Sequence, residues 1–120
     1  MRNDLGVVTF DAFRASARAD AEPPAGLSCA LTALWYDARS DWTRAHDCAQ
    51  EDPGRDGAWV HAYLHRKEGD LANARGWYAR AGRQMPEDSL LGEWEAITRE
   101  LLGRDGDPGQ DPPTPGSVAS

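Results

Sequence analysis

The sequence predicts an all-α fold of about six helices packed as stacked antiparallel hairpins. Three observations carry that expectation. Apolar residues recur at three- and four-residue spacing, as in Leu27, Leu31, Leu34 and Trp35, or Leu90, Trp94, Ile97 and Leu101. Clusters of Gly, Pro and Asp punctuate the chain between these runs. No segment alternates apolar and polar residues with the period of two that marks a half-buried strand.

The first helix is expected from about Phe10 to Ala21, capped by Thr9 or Asp11 and stopped by Pro23 and Pro24. A second follows in "AGLSCALTALWYDARS", with Ser28 as N-cap, and breaks at Ser40-Asp41. "DWTRAHDCAQE" makes a third, ended by "DPGRDG", residues 52–57. The fourth covers 58–68, "AWVHAYLHRKE", and ends at Gly69, a residue suited to the left-handed C-cap. Asp70 then caps the fifth, "DLANARGWYARAG", which Gly82 and Pro86 close. "DSLLGEWEAITRELLG" is the sixth, with Leu90, Leu91, Trp94, Ile97, Leu101 and Leu102 on one broad face. These helices make a single domain over 1–103. The remainder, 104–120, is rich in Pro, Gly and Asp with one large apolar residue, Val118, and is expected to be disordered because it cannot offset the entropy of ordering.

Composition bounds the function. A hydrophobic fraction of 40% supports a modest core, and five tryptophans enlarge it, since each buries roughly 150–250 Å². The chain is acidic, with a formal net charge of -7, which argues against binding nucleic acid through its phosphates and against an anionic membrane surface. There is no apolar run of membrane-spanning length and no pattern of a signal peptide. Cys29 and Cys48 are too few for a disulfide framework and lack metal-type C-x-x-C spacing, so a reduced, cytoplasmic setting is expected.

The chain contains an internal repeat. Ser40-Asp41-Trp42 aligns with Gly69-Asp70-Leu71 at an offset of 29, which also sets Ala33 on Ala62 and Ala45 on Ala74. Each unit reads helix, tight break, helix, the pattern of stacked helical hairpins. Gly69-Asp70, Ala74, Tyr78, Ala81 and Pro86, with Ala62 in the preceding helix, resemble the tetratricopeptide motif over about residues 55–88. "WYARAG" is similar to the related Sel1-type repeat. The unit at 28–52 is a degenerate copy: Ala49 stands where the motif has an aromatic, and Pro53 shortens the second helix. The whole chain resembles short bacterial proteins of this helical-repeat kind.

The resemblance implies a concave surface lined by the first helix of each hairpin, on which a peptide or protein binds. By position, Trp59, Tyr63 and Arg66 would face it, with Leu34 and Asp37 from the earlier unit. Aromatic residues beside Arg are the composition of binding hot spots. The expected function is therefore a small cytoplasmic protein-interaction module that needs no cofactor, with self-association through spare aromatic surface as a variant.

The alternative is a metal-binding or acid/base site on one helix face. His61 and His65 lie one turn apart, and His46, Asp47 or Cys48 of the third helix could join them. Against it stands the plain reading of two partly buried histidines hydrogen-bonded to backbone or acids. Ala62 follows His61 where the metalloprotease motif has glutamate, so that mechanism is absent. His46 and Cys48, two residues apart on a helix, point about 200° from one another and are no local catalytic pair. Arg66, Lys67, Arg80 and Arg83 supply a further candidate surface for a phosphate or an acidic peptide, or else a solvated charged face.

Overall fold

The computed structural model describes residues 8–105, so nearly all of the expected tail, and the first seven residues, lie outside the described residues. Every regular element among the described residues is a helix: α1 Phe10–Ala19, α2 Cys29–Ala38, α3 Trp42–Gln50, α4 Arg55–Glu68, α5 Leu71–Ala81 and α6 Leu90–Asp105. The fold is all-α. None of these helices is long and apolar enough to cross a membrane.

Local chemistry sets the ends. Thr9, Ser28, Asp41 and Asp70 each cap a helix by accepting a hydrogen bond from the backbone N–H three residues on. Ser89 does the same for Gly92 at the start of α6. The segment 52–57 is shorter as a loop than the sequence suggests, because α4 takes residues 55–57. The Asp52 carboxylate accepts from Gly54 N–H at 2.9 Å and closes the turn early. Gly57 then lets the chain pass against the first turn of α4: a Cβ there would stand 2.2 Å from Asp52 O.

The α2–α3 and α4–α5 breaks share a conformation. Ser40 has φ 66° and Gly69 φ 93°, both left-handed, and each precedes an Asp that caps the next helix. Glycine adopts this region freely, whereas serine is strained there.

α2 and α4 occupy the middle of the molecule. α3 and α5 pack on one side of them, and α1 and α6 on the other. α4 touches α2, α3, α5 and α6, and every residue from Gly57 to His65 is buried. Tryptophans tie the layers together. Trp35 donates to Ser16 Oγ of α1 at 3.1 Å, Trp42 to Leu64 O of α4 at 3.0 Å, and Trp94 to Leu34 O of α2 at 3.0 Å. Phe10 and Phe13 set their rings 5.9 and 6.1 Å from Trp94. Of the apolar set expected on α6, Leu91 departs: it is 74% exposed. A helix turns about 100° per residue, so Leu91 faces away from its neighbour Leu90, which packs on the core.

Relieving the strain at Ser40 should stabilise the fold. Ser40→Gly is expected to raise the unfolding free energy by about 0.5–1 kcal/mol, the left-handed penalty less the entropy that glycine adds to the unfolded chain. Urea denaturation checks this, and an unchanged or lowered midpoint would refute it.

Candidate functional site

Three histidines meet where α3 lies against α4. His61 and His65 project from one side of α4, four residues apart, and α3 brings His46 onto them. One ring nitrogen from each lies within 4.8 Å of those from the other two. His46 Nε2 and His61 Nε2 are 2.9 Å apart, so one ring donates and the other accepts. The His61 and His65 rings stack at 4.9 Å, and His46 meets both edge-on at 4.5 and 5.3 Å.

Aromatic walls hold the cluster. Trp42 stacks on His46 at 4.8 Å, and Trp77 of α5 stacks on His61 at 3.9 Å. His65 Nδ1 lies 2.7 Å from Glu68 Oε2. A carboxylate accepts, so Nδ1 is the donor, which leaves Nε2 as the nitrogen that can face a metal. This is the arrangement by which a carboxylate orients a metal-binding imidazole.

His46 and His61 are held towards the neutral form. Burial, reinforced by the positive forms of His46 and His65 and by Arg80, pushes His61 down to about 4. Burial and then His65 lower His46, with Asp47 and Glu68 opposing. Cys48, on the same helix as His46, goes the other way: burial, followed by Cys29, Glu51 and Asp47, pushes its thiol up. It therefore stays protonated and is a poor nucleophile.

The residues expected to line an open groove are largely covered. Leu34, Asp37, Trp59 and Tyr63 are buried, and the Arg66 side chain is only 15% exposed. α6 fills that surface from within the chain. Trp94 sits on Leu34, Arg66 pairs with Glu93 at 2.7 Å, and Tyr78 also donates to Glu93, at 2.5 Å. Tyr63 donates to Asp37 at 2.8 Å, and Lys67 pairs with the same carboxylate at 2.8 Å. The physical reason is that α2 and α4 have an apolar face to hide from water, and α6 carries Trp94, Ile97 and Leu101 to cover it.

The candidate anion surface is divided as well. Arg66 and Lys67 serve buried acids, and Arg83 pairs with Glu100 at 2.7 Å. Arg80 instead lies over the Trp77 ring at 4.6 Å. Sequence reading brought His46, His61 and His65 together but missed two supports. Glu68 was legible as an acid three residues after His65. Trp77 was not, because nothing local says that its ring turns back onto α4.

No protein-family model, curated protein or solved structure matches this chain.

The buried histidines give the protein without metal an acid-sensitive core. In the native state His61 takes up its proton near pH 4, whereas an unfolded histidine does so near 6.5. Between those values the unfolded chain binds more protons, so stability is lost as pH falls from about 6.5 towards 4. His61→Phe, which preserves stacking on Trp77, should flatten this part of the profile. Thermal melts between pH 7 and 4.5 are the measurement, and an identical slope in wild type and variant would rule the account out.

Proposed function

We propose that this chain is a metal-binding helical module, holding a divalent transition ion, zinc foremost, through one nitrogen each of His46, His61 and His65. The observation that carries the reading is the convergence of three imidazoles from two helices. Zinc–nitrogen bonds of about 2.0–2.1 Å in a tetrahedron set neighbouring nitrogens roughly 3.4 Å apart. The 2.9 Å between His46 and His61 would need to open by only about 0.5 Å to match. Lowered basicity keeps lone pairs available, and Glu68 supports His65 from behind. Three protein nitrogens leave a fourth position for water or a ligand, as in zinc sites that are not purely structural.

The scaffold we propose is a degenerate tetratricopeptide- or Sel1-like pair of hairpins in a cytoplasmic protein. The matching left-handed turns at Ser40 and Gly69 and the fully buried Ala33, Ala62, Ala45 and Ala74 support the first part. The free thiols of Cys29 and Cys48 support the second.

Protein prepared without a histidine tag should take up about one zinc per chain, read by elemental analysis and competition titration. Removing a ligand with His65→Ala should cost at least about 100-fold in affinity, and Glu68→Gln about 10- to 100-fold. No uptake, or equal affinity in His65→Ala, would sink the proposal.

A second reading, the protein-interaction module, is favoured by one observation. Leu91 is 74% exposed at a cleft of about 390 Å³ that Arg14, Arg18 and Lys67 also border, with Asp37 and Tyr63 among its walls. A protein partner or a second copy would cover Leu91 there. Light scattering should then show wild type heavier than a monomer, or carrying a partner, and Leu91→Asp as a bare monomer. A bare monomer in both removes this reading.

A further inference from the structure

His61 belongs to two features at once. Its Nε2 meets His46, and it also borders a cleft of about 400 Å³ between the start of α4 and the end of α5. Trp77 lines the same cleft, between His61 on one ring face and Arg80 on its ring at 4.6 Å. Arg55 borders the cleft from α4 and reaches across to α5, its Cζ 3.9 Å from where a Cβ on Gly82 would stand.

Six of the cations among the described residues are committed to acids. Arg14, Arg44, Arg66, Lys67, Arg83 and Arg99 each pair with a carboxylate. Arg55 and Arg80 pair with none among the described residues, as do Arg18, Arg39 and Arg75, but only Arg55 and Arg80 border this cleft together. Asp52, the acid that lines the cleft with them, is engaged by Gly54 N–H. Two guanidinium groups on either side of a cleft present the forked donors that suit carboxylate and phosphate oxygens.

We infer that this cleft takes a small oxyanion, a carboxylate or phosphate group, which Arg55 and Arg80 hold while one of its oxygens fills the open position of the ion at His46, His61 and His65. The inference rests on the metal-binding reading. It adds the ligand class: a compact anionic molecule. Size agrees, since a cleft of this volume lies at the small-metabolite end of ligand sites.

Cobalt(II) serves as the probe, because its visible bands report what surrounds the ion. The full chain is loaded with one equivalent of Co2+ and titrated with inorganic phosphate. A saturable change in the bands is expected, and Arg55→Gln/Arg80→Gln should weaken it by about tenfold or more. Co2+ uptake is read separately from the growth of the bands before phosphate is added. Uptake with no response to phosphate overturns the oxyanion site and leaves the metal site standing. An equal response in the double variant overturns the assignment to Arg55 and Arg80. No Co2+ uptake overturns the metal reading and this inference with it.

Discussion

α4 is buried from Gly57 to His65, and each polar group on that stretch needs a partner. An unpaired buried donor or acceptor costs about 1–3 kcal/mol, so this constraint is felt at each position. Tyr63 is answered by Asp37 of α2, Arg66 by Glu93 of α6, and His61 by His46 of α3. Leu64 O takes a further hydrogen bond from Trp42 of α3. Each answer fixes one neighbouring helix in register against α4. The same low-dielectric surroundings push the Tyr63 and Tyr78 hydroxyls well above their ordinary range, chiefly through burial and the acids they donate to. They therefore act as hydrogen-bond donors that hold the acids in place.

The histidine cluster follows from that constraint and exceeds it. Burying one imidazole with a partner would satisfy α4. Here three gather between two indole rings, and the acid present, Glu68, engages the ring nitrogen of His65. His46 and His61 meet nitrogen to nitrogen, an arrangement that protonation of both rings would disrupt by repulsion. A divalent ion resolves the same geometry by accepting lone pairs, which is why neutral buried histidines are common ligands. The cost of burying His61 and His65 beside a half-buried His46 thus has a counterpart in what the three can bind.

The central helices share small residues and similar turns, and the terminal helices close over them. Ser40 and Gly69 turn the chain alike, and buried alanines at equivalent positions let paired helices approach. The apolar sides of α2 and α4 are closed by α1 and α6, using Phe10, Phe13, Trp94 and Ile97.

The sequence by itself determined the number of helices, their caps and their breaks. Thr9, Ser28, Asp41 and Asp70 act on amides three residues away, and Gly69 and Gly82 act through their own φ, so nothing distant is needed to read them. It also placed His61 and His65 on one face, because four residues make roughly one turn. Tertiary structure decided what covers what. Trp94 reaches Leu34 across 60 residues, and no local pattern states that α6 rather than a partner lies over α2 and α4. His46 joins His61 only because α3 packs on α4, and Trp77 turns onto His61 only because α5 does. Helix ends are local equilibria between backbone groups and their nearest side chains. The site is a meeting of side chains from three helices, and only packing brings them together.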